Sequence, residues 1–137
     1  MPIQPYLFFN GRCDEAIAFY GSALGAKVEL LMRFDESPQP HQPGMIPPGF
    51  EKKVMHVTLS IGDATVMASD GNHAGATTFS GFALSATQKD AAAARHAYDA
   101  LAAGGSVVMP LARTFWSPCF GMVTDRFGVL WMVTVPG

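Results

Sequence analysis

The chain has 137 residues, of which 49% are hydrophobic and 15% are charged, and its formal net charge is -2. This length and composition are typical of a single globular domain and exclude an intrinsically disordered chain. The scattered Lys and Arg residues form no basic stripe, so we expect no nucleic-acid partner.

The same sequence gives no membrane or export signal. No apolar run approaches the roughly 18 residues needed to span a bilayer, and the N-terminus lacks the basic start and apolar core of a signal peptide. We therefore expect a cytoplasmic protein with no membrane partner. Cys13 and Cys119 form no CxxC pair, and we expect both to be reduced and independent.

The first half of the chain alternates between strand and helix patterns. Residues 3–9 form a short apolar run that predicts a strand. Apolar residues at three- and four-residue spacings then predict a helix over about 13–24, closed by Gly25. Residues 27–34 return to a strand pattern. The Pro-rich segment 35–51 predicts a long loop, either a functional lid or a plain insertion, and the most mobile part of the chain.

The strand predicted at 54–61 alternates between two kinds of side chain. Its predicted core face carries Met55, Val57, Leu59 and Ile61. The other face carries Val54, His56, Thr58 and Ser60 and is mostly polar, so we expect that face to look into a wetter space. A further strand at 64–69 completes a βαβββ module.

The second half repeats this order. We predict a strand at 78–85, an Ala-rich helix at 89–103, a short strand at 106–109, a connection over 110–118 and a final hairpin that turns at Asp125–Gly128. Two copies of one unit predict an α+β fold, with module one at about 1–72 and module two at about 77–137. We expect the modules to form one curved eight-stranded sheet with the helices outside and a concave cavity.

Several motifs, in this order, resemble the vicinal oxygen chelate superfamily, the glyoxalase, bleomycin-resistance and dioxygenase fold, and within it the PhnB-like branch. The motifs are Pro5–Gly11, Glu15–Tyr20, His56, Met67–Asp70, Trp116, Gly121–Gly128 and Trp131. The resemblance covers nearly the whole chain. It leaves the chemistry open, because this fold hosts isomerases, dioxygenases, lyases and binding proteins.

The resemblance also implies where a metal ion would be held. The corresponding positions here are Pro5, Met67 or its neighbour Val66, Gly81 and Met132. None of them is His, Asp or Glu, and proline and thioether side chains are poor ligands for divalent ions, which prefer imidazole, carboxylate or thiolate. We therefore expect neither a metal ion nor another cofactor.

His56 is the main candidate for chemistry, as a general base or as a hydrogen-bond partner for a ligand, although a structural role is the commoner fate of such a residue. Trp116 and Phe120 are expected either at the cavity mouth or in the core, with Met122 and Met132 along the cavity wall, whereas Trp131 is expected in the core. Set aside as solvated or inert are His41, His73, His96 and Cys119. Two roles stay open for Asp70, as a turn cap or as a substrate-binding residue.

Three functional hypotheses follow. The first is a metal-independent protein that binds a small, weakly polar organic molecule. Its ligand-binding residues would be His56, Thr58, Ser60, Trp116, Phe120, Met122 and Met132. The second is an enzyme of lyase, isomerase or dioxygenase type that uses His56, with Asp70 as a further proton-transfer candidate. The third is a metal enzyme with relocated ligands. In each case we expect a homodimer, because open strand edges invite a second copy.

Overall fold

The computed structural model describes residues 2–37, 46, 48–71 and 77–137. Their contacts divide the chain into two compact units, Met1–Thr77 and Thr78–Gly137. Within the described ranges, each unit contains one α-helix and one four-stranded sheet. No helix among the described residues is long and apolar enough to cross a membrane.

The first unit follows the predicted βαβββ order. Its elements are β1 (Tyr6–Phe8), α1 (Cys13–Leu24), β2 (Lys27–Arg33), a 3-10 turn (Phe34–Glu36), β3 (Val54–Ile61) and β4 (Ala64–Ser69). The strand order is β1-β4-β3-β2, with β1 parallel to β4 and the other pairs antiparallel.

The second unit repeats this topology. Its elements are β5 (Leu84–Thr87), α2 (Ala91–Ala102), β6 (Ser106–Ala112), β7 (Cys119–Thr124) and β8 (Leu130–Val135). The order is β5-β8-β7-β6, with β5 parallel to β8. The predicted α+β class and the repeated βαβββ module are thus confirmed. The strands pair in two four-stranded sheets, and their joining into one curved sheet around a cavity stays a prediction.

Local sequence signals account for the helix ends. Gly25 adopts a left-handed φ of 70° and its N–H bonds to the carbonyl of Gly21, which closes α1 where predicted. Asp90 caps α2, since its Oδ1 accepts a hydrogen bond from the N–H of Ala93 at 2.8 Å. The helix therefore begins after Asp90 and not at Lys89.

Two strands of the second unit differ from the prediction. The strand expected at 78–85 is β5, and it begins only at Leu84, so Gly81 lies before it with a φ of 80°. The strand expected at 106–109 continues to Ala112 and includes Pro110. Because β6 is an edge strand, Pro110 is tolerated there although it has no backbone N–H to donate.

Each helix covers one face of the sheet in its own unit. Helix α1 packs on β3 and helix α2 on β6, β7 and β8. The fully or nearly buried residues of the two helices are Cys13, Ala16, Phe19, Tyr20 and Ala23 in α1, and Ala94, Ala97, Tyr98 and Leu101 in α2. In the second unit they oppose buried β7 and β8 residues, Trp131 among them, which confirms its predicted place in the core.

The prediction of the core face of β3 is correct for the middle of the strand and wrong at its ends. Val57 and Leu59 are buried, whereas Met55 and Ile61 are only half-buried. Val54, expected on the polar face, is 0% exposed. The pairing of β2 with β3 shifts register between Met32 and Arg33, which breaks the simple alternation there.

Most of the Pro-rich loop, residues 38–45 and 47, lies outside the described residues, as do residues 72–76. His41 and His73 therefore fall outside them too, together with the predicted mobility of the loop centre.

Candidate functional site

His56 lies at the centre of a hydrogen-bonded group on the sheet face of the first unit that turns away from α1. Its Nδ1 is 3.2 Å from the hydroxyl of Tyr6, and its Nε2 is 2.9 Å from Oγ1 of Thr58. Both ring nitrogens of His56 thus have a hydroxyl partner within hydrogen-bond distance.

The sheet order brings these three residues together. Tyr6 and Thr58 are both paired with Met67, one across the parallel β1–β4 ladder and the other across the antiparallel β3–β4 ladder. Tyr6 and His56 are 50 positions apart in sequence. No local sequence pattern reveals the contact between Tyr6 and His56. The alternation of exposed Tyr6 and Phe8 with buried Leu7 and Phe9 indicates only which strand face each side chain occupies.

Aromatic rings extend the group along β1. The ring centroid of Tyr6 lies 5.1 Å from that of Phe8 and 5.7 Å from that of His56. Tyr6 is 38% exposed and Phe8 is 49% exposed. We call Tyr6, Phe8 and His56 the aromatic platform. Ring faces of this size, with a hydroxyl and an imidazole at one side, favour contact with a flat organic molecule.

Ser60, a predicted ligand-binding residue, has a protein partner instead. Its Oγ donates to Oε1 of Glu29 on β2 at 2.9 Å. Sequence reasoning missed Glu29, which lies at a register shift of the β2–β3 pair. The face of β3 that carries His56, Thr58 and Ser60 therefore has a carboxylate at its edge.

The helix-free face of the second unit is mostly apolar. Met122 and Met132 are directly opposite each other on β7 and β8, and Met109 continues the row on β6. Trp116 packs edge-on against Phe120, with ring centroids 5.4 Å apart. Trp116 is 50% exposed and Phe120 only 7% exposed, so Trp116 offers the larger contact surface.

The positions implied for a metal ion carry no charged ligand. The sheet register places Tyr6 beside Met67 and Ser85 beside Met132. The resemblance to the superfamily implied Pro5 and Gly81 as the metal positions on the first strand of each module. Both residues lie before those strands, β1 and β5. Within residues 2–37, 46, 48–71 and 77–137 there is no group of three or more His, Cys, Asp or Glu residues placed to hold a metal ion. Thioethers and neutral hydroxyls are poor ligands for hard divalent ions.

The carboxylate of Asp70 is buried and hydrogen-bonded to the backbone. It is 1% exposed, and its Oδ1 accepts hydrogen bonds from the N–H groups of Gly11 and Cys13 at 2.7 and 2.8 Å. Its Oδ2 accepts from the N–H of Val54 at 2.9 Å. This carboxylate is committed to the backbone, which argues against a role in proton transfer.

Both cysteines are free and buried, as expected for inert thiols. Burial raises the pKa of the Cys13 thiol well above its ordinary value, and the nearby charges of Asp70 and Asp14 raise it further. His96 is exposed on α2.

Known proteins match the chain over almost its full length. The profile of the Glyoxalase/Bleomycin resistance protein/Dioxygenase superfamily matches residues 3–133. Protein YjdN of Escherichia coli (strain K12) is 36% identical over 140 residues, which cover 98% of this chain and 95% of that protein.

Two solved structures give the same result. The protein PA1353 from Pseudomonas aeruginosa has 42% identity and a TM-score of 0.85, with 99% of this chain and 98% of that chain covered. The PhnB protein from Bacillus cereus has 28% identity and a TM-score of 0.81, with coverage of 98% and 99%. The chain therefore belongs to the Glyoxalase/Bleomycin resistance protein/Dioxygenase superfamily, in its PhnB-like branch.

Proposed function

We propose that this protein binds a small, weakly polar organic molecule at the aromatic platform, and that it does so without a metal ion. The observation that carries the proposal is the exposure of Tyr6 and Phe8 beside the imidazole of His56. Small-molecule sites combine apolar and aromatic walls with a few polar groups that orient the ligand. Tyr6, His56 and Thr58 supply those polar groups.

The side chains at the superfamily's metal positions support the metal-free part of the proposal. Met67 and Met132 are thioethers, and their first-strand neighbours Tyr6 and Ser85 carry neutral hydroxyls. Zn²⁺, Mn²⁺, Fe²⁺ and Ni²⁺ prefer imidazole, carboxylate or thiolate ligands. Among the described residues of this face, His56 offers an imidazole and Glu29 a carboxylate that already accepts from Ser60, and a single imidazole holds a divalent ion weakly.

Acetophenone is a suitable probe, because it is flat, weakly polar and has no acidic hydroxyl. We expect it to shift the ring resonances of Tyr6, Phe8 and His56 in an NMR titration of the full chain, equally before and after treatment with a strong chelator. Phe82→Leu removes another exposed aromatic residue and is the matched control. Binding that disappears with the chelator and returns with zinc, manganese, iron or nickel would overturn the proposal.

The contacts of His56 favour one alternative, an enzyme that uses this residue for proton transfer. A hydroxyl at each ring nitrogen can fix the tautomer of a general base.

We further propose a homodimer, because β2 and β6 are edge strands and carry exposed apolar side chains. These are Val28, Leu30 and Leu31 on β2, and Val107, Val108 and Met109 on β6. A cytoplasmic location and the absence of a nucleic-acid partner stay predictions from the sequence.

A further inference from the structure

We infer that Tyr6 is the residue that exchanges a proton with the ligand, and that His56 acts through it as the base of a Tyr6–His56–Thr58 relay. The inference rests on the proposed binding at the aromatic platform and narrows the ligand to a planar compound with a weakly acidic hydroxyl, such as a phenol or an enol.

The relative acidity of the hydroxyl groups is the basis for the direction that we assign to the relay. A phenol hydroxyl is a better donor than an aliphatic one because it is far more acidic. Tyr6 therefore donates to Nδ1 of His56 over 3.2 Å, and Nε2–H of His56 donates to Oγ1 of Thr58 over 2.9 Å. In this arrangement the phenol oxygen of Tyr6 still has a lone pair, which accepts from a ligand hydroxyl.

Tyr6 is the member of the Tyr6–His56–Thr58 relay that a ligand reaches most easily. Tyr6 is 38% exposed, whereas His56 is half-buried and has both ring nitrogens engaged. Across β2 the residue directly opposite His56 is Met32, which is apolar. The carboxylate of Glu29 on β2 accepts a hydrogen bond from Ser60. A ligand ring stacked on Tyr6 and Phe8 would bring its hydroxyl to the phenol oxygen of Tyr6.

The proton steps balance without another reactant. The ligand O–H bond breaks and its proton bonds to the oxygen of Tyr6. The former Tyr6 proton moves to Nδ1 of His56, while Nε2–H remains bonded to Thr58. The products are a ligand oxyanion and an imidazolium, so ionisation of the ligand is the step that the relay promotes.

The first test needs no ligand. NMR of the full chain labelled with ¹⁵N-histidine reports which ring nitrogen of His56 carries the proton. We expect the Nε2–H tautomer in the native protein, and loss of the Tyr6 donor in Tyr6→Phe should raise the proportion of the Nδ1–H form by about fivefold. Phe8→Leu keeps the hydroxyl and should leave the tautomer unchanged. An unchanged tautomer in Tyr6→Phe would overturn the relay.

The second test uses p-nitrophenol, whose visible absorption reports its ionisation. We expect the native protein to lower the pKa of the bound probe. Tyr6→Phe keeps a ring that stacks on the un-ionised probe but should lose the pKa shift and the tighter binding of the ionised probe. A pKa shift of the probe that persists in Tyr6→Phe contradicts the relay. If the native protein does not bind p-nitrophenol, the proposed class of ligand, a planar compound with a weakly acidic hydroxyl, is wrong. Acetophenone binding is unaffected by either failure, so it tests the proposed function separately.

Discussion

The carboxylate of Asp70 lies 2.8 Å from the backbone nitrogen of Cys13, at the point where α1 begins. The same side chain bonds to the N–H groups of Gly11 and Val54, which precede α1 and begin β3. One buried acidic residue thereby fixes the start of the helix and the start of the strand that carries His56. This explains how the sheet that bears the aromatic platform is held against its helix.

Asp70→Asn should lower the free energy of unfolding by about 3 kcal/mol, because an amide nitrogen would face one of the backbone N–H donors inside the protein. Chemical denaturation measures the change. Asp63→Asn alters an exposed carboxylate in the β3–β4 turn and should change stability by less than about 0.5 kcal/mol. Asp70→Asn with native stability but no probe binding would show that this carboxylate belongs to the site.

Gly121→Ala should destabilise the second unit. A Cβ at Gly121 would lie 2.8 Å from Cε2 of Tyr98 on α2 and 2.9 Å from Cα of Leu111 on β6, so the helix or the strand must move. Such overpacking costs about 1–3 kcal/mol. Gly21→Ala is the matched control, since its Cβ meets only Ala26 O at 3.5 Å and a helical Ala should stabilise by about 0.5–1 kcal/mol. Equal effects of the two changes in thermal unfolding would contradict this account.

Arg33→Gln should raise the pKa of Asp14. Arg33 binds both carboxylate oxygens of Asp14 at 2.9 Å, and these hydrogen bonds hold the pKa of Asp14 below its ordinary value. Because the folded pKa is depressed, the stabilisation is present above the unfolded pKa of Asp14 and is lost as pH falls through the folded one. Both side chains are partly exposed, at 30% and 53%, so the pair contributes less than about 1 kcal/mol.

Carboxyl NMR titration of Asp14 measures this shift directly. Arg95→Gln breaks an exposed pair with Asp99 on α2 and is the control that should leave Asp14 unchanged. If the titration of Asp14 is the same in Arg33→Gln as in the native protein, the ion pair does not form in solution.

Neither thiol should react with 5,5′-dithiobis(2-nitrobenzoate) while the protein is folded. Cys13 is 0% exposed and its pKa is raised, so the reactive thiolate is absent. Above the ordinary thiol pKa of 9.0 the unfolded chain ionises there and the folded chain does not, so stability should fall as pH rises. Two thiols should react in denaturant, and rapid reaction of the native protein would contradict the burial.

Leu30→Lys and Val108→Lys should each weaken the proposed dimer, because each puts a charge on an exposed apolar position of an end strand. Light scattering of the native protein should give about twice the chain mass of 14.6 kDa, and the variants should move toward the single-chain mass. Lys27→Ala, a change at an already polar position of β2, is the control. Native protein that is monomeric at micromolar concentrations would rule out the dimer.

Short-range patterns in the sequence predict most of the local structure. The helix α1, the strands β3 and β4 and the positive φ of Gly128 in the last hairpin follow from periodicity and turn residues. Errors occur where neighbours outweigh the pattern. Strand β6 runs through Pro110 because it ends a sheet, and Val54 is buried because the β2–β3 pairing shifts register.

The sequence by itself therefore determined the repeated βαβββ order and the superfamily, since both depend on the spacing of apolar residues, glycines and short motifs along the chain. Only the tertiary structure decided what His56 contacts. Tyr6 reaches it because β4 lies between β1 and β3, and Asp70 is committed to Gly11, Cys13 and Val54 because chain segments far apart in sequence meet there. Hydrogen bonds between such segments depend on strand order and register, which no local periodicity contains.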